Sequence, residues 1–238
     1  MVNKIKSLIQ GFYKGKNLKK QLPVMLLGVF MMGFTLSWLR LVDWGTDTFT
    51  NMNLAISARL GWTLGTWQLV LNIVLFIIVI LLGADNIGFG TVANMVFIGY
   101  LCDFFTWLWK KILPERIFEY PVSEEGIKDY SAIPHFSNEY LWLRIIVLIV
   151  ALAAFVFFAA LYMDSGLGVS PCDAIPFIAQ QKIKKLPIKV VRIIYDVTLI
   201  LIAFAFGSKW YIATILMALT LGPVIEFVGK NIKKWFNF

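Results

Sequence analysis

The sequence predicts an all-α polytopic membrane protein, with six transmembrane helices forming two inverted 3+3 repeats and one extra short amphipathic helix in each repeat. Three observations predict it. Of 238 residues, 59% are hydrophobic and 15% charged, against about 45–50% and about 25% in soluble domains. The apolar residues are gathered into blocks able to cross a hydrocarbon layer of ~30 Å, which takes ~20 helical residues. The blocks also recur: the stretch ending at Gly83 overlays the one ending at Gly207, and GYLCDFF from Gly99 overlays GPVIEFV from Gly222, at a spacing of 123 to 124 residues. A period that long, with several spans per copy, indicates internal duplication rather than a solenoid of small units.

Residues 1–21 form a basic segment holding Lys4, Lys6, Lys14, Lys16, Lys19 and Lys20. The first span, 22–39, is longer than a signal-peptide core of about 7–15 residues. It ends in Trp38-Leu39-Arg40, so a permanent helix is expected. A short segment, 49–60, follows, with Phe49, Met52, Ile56 and Leu60 on one helical stripe. Spans 64–82 and 89–109 complete the first repeat, 22–109. The 110–140 connection carries Glu115, Glu119, Glu124, Glu125, Asp129 and Glu139.

The second repeat, 141–229, has spans 141–163, 188–206 and 210–228 and a short segment, 172–185, striped with Ile175, Ile178, Ala179 and Ile183. None of the long runs alternates as spanning β-strands do. The short segments start alike: Asp47 and Ser170 occupy equivalent N-cap positions, and Pro171 sits at the first helical position. Asp173 completes a capping-box pattern whose counterpart is Thr50. The amphipathic stripes predict interfacial helices lying on the membrane; a re-entrant, ligand-facing role is the alternative. Residues 230–238 form a basic tail.

The formal charge of +8 is accounted for by topology. The first lysine cluster, a second at Lys182, Lys184, Lys185 and Lys189, and a third at Lys230, Lys233 and Lys234 fall on one side of a six-span chain. By the positive-inside rule that side is cytoplasmic, which puts both termini inside at the plasma membrane and the 110–140 loop outside. Lys110 and Lys111 run against this pattern. With the flanking lysines assigned to the bilayer, no basic surface is left for nucleic acid. Cys102 and Cys172 fall on opposite predicted sides and lack metal-like spacing to His135, so neither a disulfide, a metal nor a cofactor is expected.

Depth separates the polar residues, because a charge at the bilayer centre costs about 2.5–3.5 kcal/mol whereas one near a span end can snorkel. Asp103 and Glu226 lie near span ends, and Arg192 opens a span. Asp196 is different: eight residues into its span, it sits about 12 Å deep. Its repeat mate is Asn72, while Gln68 corresponds to Arg192. Arg192 and Asp196 are i and i+4, able to pair on one helix face. Gln68, Asn72, Arg192, Asp196 and the cap residue Asp173 are therefore the candidate substrate-binding residues. Gly28, Gly33, Gly88, Gly90, Gly99 and Gly222 are expected to permit close helix approach.

In order along the chain these pieces resemble the YczE-like bacterial integral membrane proteins, grouped with YyaS and YitT proteins. The first copy has Arg40 with Gly45, Asp47-Thr48-Phe49-Thr50, the Gly61 to Trp67 stretch, Gly90-Thr91, and Ile98-Gly99 with Asp103-Phe104. The second has Gly168, Ser170-Pro171-Cys172-Asp173, Arg192, Thr214, and Leu221-Gly222 with Glu226-Phe227. Thr48 and Cys172 depart from that pattern, which has proline and tryptophan or arginine there. The resemblance covers roughly residues 22 to 230 and implies a multi-spanning membrane protein without an assigned substrate.

Two functions follow. The first is a small-molecule transporter or substrate-binding permease with a site between the repeats; lacking a nucleotide-binding loop, it would draw on ATP only through a partner subunit. The second is a non-transporting accessory or scaffold protein that assembles with other membrane components. An intramembrane enzyme is disfavoured, because no Ser-His, Cys-His, His-rich or paired-carboxylate constellation occurs at useful spacing.

Overall fold

The computed structural model describes residues 17–82, 87–121, 133–183, 185–209 and 211–220, with residues 223, 227 and 231 beyond them. Within these the chain is all-α apart from a two-residue antiparallel pairing of Phe118–Glu119 (β1) with His135–Phe136 (β2). Four helices are long and apolar enough to cross a membrane: α1 (Leu18–Val42), α3 (Leu64–Leu82), α4 (Phe89–Ile112) and α5 (Leu141–Asp164). Two 13-residue helices, α2 (Thr48–Leu60) and α6 (Pro171–Ile183), precede α3 and α7 (Ile188–Ala205). A further helix opens at residues 212–220. Most of the expected 210–228 span beyond it, Gly222 and Glu226 included, lies outside the described residues, as do Lys4, Lys6, Lys14, Lys16, Lys184, Lys230, Lys233 and Lys234.

The exterior is apolar and the interior holds the polar groups, the reverse of a water-soluble domain. Helix α3 buries Gln68 and Asn72 while Ile73, Ile77 and Leu81 are exposed; α5 exposes Ile149 and Val150. Such an exterior suits an acyl-chain solvent, and continuous apolar surfaces of this kind do not persist on soluble monomers. Apolar helices of membrane length thus make the protein membrane-embedded.

The core forms where α1 packs on α5 and α4. Met25, Val29, Met32 and Leu36 meet Phe155, Val156, Ala159 and Tyr162 on one side and Ala93, Ile98 and Cys102 on the other. Small residues set these distances: a Cβ on Gly28 would lie 2.8 Å from Tyr162 Cβ, and one on Gly33 2.5 Å from Leu101 Cβ. Of the glycines expected at helix contacts, Gly28, Gly33, Gly90 and Gly99 occupy close ones, while Gly222 lies outside the described residues. Asp103 is not the snorkelling residue its depth implied. Its carboxylate accepts from Arg40 Nη1 and from the Gly65 N–H at the start of α3, each at 2.6 Å. An arginine near the end of one span and an open helix N-terminus satisfy it inside the bundle.

The linkers into the short helices behave alike. Asp43 and Gly166 have φ of 55° and 69°, and Gly45 and Gly168 have φ of 106° and 111°. Trp44 accepts a backbone hydrogen bond from Ala213 at 3.2 Å, and Leu167 accepts one from Gly90 at 2.8 Å. Gly45 lies against Thr214 and Gly168 against Thr91. Every member of one set stands 123 residues from its counterpart in the other. In the same way α2 packs on α7 while α3 packs on α6.

The short helices are not laid across the ends of the bundle. Helix α2 begins beside the middle of α7, where Thr48 Oγ1 donates to Asp196 Oδ1 at 2.7 Å. It ends beside the last turn of α7, where Arg59 Nε donates to the Phe206 carbonyl at 3.1 Å. Helix α6 lies along the second half of α3, with Ala174 and Ile178 against Val79. The interfacial expectation is corrected accordingly. The stripe of Phe49, Met52 and Ile56 packs on Leu199 and Ala203 of α7, and amphipathic periodicity alone does not say whether lipid or another helix covers a stripe.

His135 sits in β2 with its ring 3.9 Å from Glu119. The Glu119 carboxylate accepts from Ser137 Oγ at 2.8 Å and from the Asn138 N–H at 3.0 Å. The Ser137 hydroxyl, then the Asn138 amide, hold its carboxyl below the usual range. A depressed carboxylate stabilises the fold above its unfolded-state pKa, and that stabilisation is lost as pH falls through the lowered value. Hydrogen-exchange protection at the Asn138 amide should therefore be constant near neutrality and fall below about pH 4. Glu119→Gln should start at the lower protection and lose the pH dependence.

Candidate functional site

The helix starts converge on one place. Asp47 caps α2 by accepting from the Thr50 N–H at 3.0 Å. Ser170 caps α6 by accepting from the Asp173 N–H at 3.1 Å, and its hydroxyl donates to Asp173 Oδ2 at 2.6 Å. Both caps match the sequence expectation. The positive N-terminal ends of α2 and α6 face the half-buried carboxylates of Asp47 and Asp173.

A continuous polar chain joins the two helix starts through α7. Asp173 Oδ1 accepts from Arg192 Nη2 at 3.1 Å. Arg192 Nε lies 3.6 Å from Asp196 Oδ2, and Asp196 Oδ1 accepts from Thr48. The expected Arg192–Asp196 pair is thus present, but the closer partner of Arg192 is Asp173. A guanidinium has five donors and can hold two carboxylates at once, which a lysine ammonium would do with far less geometric control. Asp196 is 4% exposed, and at that burial the pairing decides whether the charge is tolerated.

This chain walls a cavity of about 60 Å³, with Gln68, Asn94, Asp47 and Tyr195 among its other linings. Four of the five sequence-derived site residues, Gln68, Asp173, Arg192 and Asp196, come together there. Asn72 is not part of the lining. It is 1% exposed and neither atom of its amide has a hydrogen-bond partner. Asp196, in contrast, is satisfied by the Thr48 hydroxyl. Thr48, Asp47 and Asn94 entered no sequence-derived site. Asp47 was legible as a cap, but only the depth of α2 makes it a cavity wall.

Three carboxylates, Asp47, Asp173 and Asp196, thus share a cavity wall with one guanidinium. Among the described residues no group of three His, Cys, Asp or Glu side chains could hold a metal ion. Both cysteines are free and buried.

A wider opening of about 450 Å³ lies beside it, bordered by Arg40, Asp43, Gly45, Thr46, Asn51 and His135 among others. Gly45, Thr46 and Asn51 face the wide opening, and the residues from Asp47 to Thr50 face the inner cavity. Arg144 is a polar residue for which no sequence signal was read. It is 5% exposed, donates to the Val42 carbonyl at 2.7 Å and to Asn138 Oδ1 at 3.0 Å, and fastens the turn after β2 to the end of α1.

No curated protein and no solved structure matches the chain. Residues 19–230 match the Family of unknown function (DUF6198), and the chain belongs to that family.

Proposed function

We propose that the protein is a small-molecule transporter or substrate-binding permease of the plasma membrane, with its site between two inverted repeats of three spans. The observation that carries this reading is a charged, hydrogen-bonded cavity enclosed by apolar helices, at which two short helices begin. Polar groups inside membrane bundles mark ligand or ion paths more often than packing. Helix starts directed at a central site are the arrangement used by secondary transporters built from inverted repeats. The matched linker geometries and exchanged contacts, 123 residues apart, support the inversion. The wide opening on the other side of residues 45–51 supports an access route. Six spans with lysine-rich faces inside and both termini cytoplasmic complete the proposal, as does kinship with the YczE-like proteins.

Uptake of candidate solutes into proteoliposomes tests it. Asp196→Asn is expected to lower the initial rate at least tenfold, and Asn72→Ala, outside the cavity lining, to change it less than twofold. If no solute moves under any gradient and a membrane protein co-purifies in fixed stoichiometry, the scaffold function replaces this one.

A further inference from the structure

The inner cavity is unbalanced in a way that points to its ligand. Arg192 is engaged by Asp173 and Asp196. Asp47 is the carboxylate left over: Oδ1 accepts the capping bond from Thr50, while Oδ2 is buried with no hydrogen-bond partner. Gln68, only 3% exposed, lines the same cavity with a buried amide oxygen that is also unpartnered. Asn94, 5% exposed, contributes a second amide to the wall. A buried carboxylate oxygen and a buried amide oxygen each lose several kcal/mol of hydration unless something takes the place of water. The partial positive end of α2 offsets only part of that loss at Asp47.

We propose that the inner cavity is a monovalent-cation site in which Asp47 supplies the anionic oxygen and Gln68 and Asn94 supply neutral ones. This rests on the reading of the cavity as the substrate site and names the class of ion it takes. A space of about 60 Å³ has room for an alkali ion or an ammonium ion with a little water. Of the three cavity carboxylates only Asp47 has an unengaged oxygen, so the ion meets one anionic ligand and otherwise neutral ones, a set suited to a monovalent ion; divalent ions favour several carboxylate ligands or octahedral hydration.

Thermal unfolding of the full chain in detergent, with sodium, potassium or ammonium chloride exchanged against choline chloride at constant ionic strength, tests the site. At least one of the three should raise the Tm saturably, as ligand binding to the native state requires. An alkali-only response identifies a bare ion, and an ammonium-only response an ion held by its own N–H groups. Asp47→Asn, which keeps a good N-cap, should abolish the response, and Gln68→Leu, which leaves the cap untouched, should weaken the apparent affinity at least tenfold. A Tm that follows ionic strength alone, a larger saturable response to magnesium, or an undiminished response in both variants overturns the site. The test is separate from transport: lost cation response with intact solute uptake removes only the cation site. A cation response without movement of any solute removes the transporter function and leaves the site standing.

Discussion

Arg192→Leu should destabilise the protein by about 3–5 kcal/mol, the cost of removing one partner from a buried ionic group. Its guanidinium lies 3.1 Å from Asp173 and 3.6 Å from Asp196, so the substitution strands two carboxylates, one of them 4% exposed. The Tm in detergent should fall well below that of the parent, with loss of monodisperse protein. Neutralising the stranded groups as well, in Arg192→Leu with Asp173→Asn and Asp196→Asn, should recover most of the loss, because replacing a whole buried ionic set is often close to neutral. A triple variant no more stable than Arg192→Leu would show that the arginine acts through packing instead. Arg192→Lys should fall between, since an ammonium lacks the fork that reaches both carboxylates.

Gly168→Val should be comparably severe for a different reason. Gly168 has φ of 111°, and a Cβ there would lie 2.5 Å from the Gly88 backbone nitrogen and 2.7 Å from Thr91 Oγ1. A β-branched residue would face both a disfavoured backbone region, costing about 1–3 kcal/mol, and a collision with main chain that no rotamer relieves. Gly166→Ala supplies the control. Its φ of 69° is also left-handed, but the nearest atom to its Cβ would be Gln21 Nε2 at 3.9 Å. It should cost only about 1 kcal/mol. Equal Tm losses at the two positions would mean that the close approach of residues 88–91 to residue 168 contributes nothing to stability.

Much of the scaffold was legible beforehand. Block length and apolar content placed α1, α3, α4 and α5, with ends shifted by a few residues: the 22–39 span is a helix from Leu18 to Val42. Helix ends shift easily because polar residues such as Lys19, Lys20 and Arg40 continue a helix past its apolar part. The caps at Asp47 and Ser170 were readable because the capping bond is local, reaching three residues along the chain. The Arg192–Asp196 approach was readable for the same reason, being one helical turn. The partnerships of Asp173 with Arg192, Thr48 with Asp196 and Arg40 with Asp103 were not, since they join residues 19, 148 and 63 positions apart. Nothing in local periodicity encodes such separations.

The sequence by itself determined that the chain is helical and membrane-embedded, where four of its apolar helices run, which residues cap its short helices, and that Gln68, Asn72, Arg192 and Asp196 lie within the helices α3 and α7. These follow from quantities carried by short windows: apolar length against bilayer thickness, helical spacing and capping bonds. Tertiary structure alone decided that α2 and α6 run inside the bundle, that Asp47 becomes a cavity wall, and that Asn72 is left outside the network its counterpart Asp196 completes. The physical reason is that the free energy of a buried polar group depends on which distant partner reaches it. The Thr48 hydroxyl, 148 positions away, satisfies Asp196, while no hydrogen-bond partner reaches the Asn72 amide.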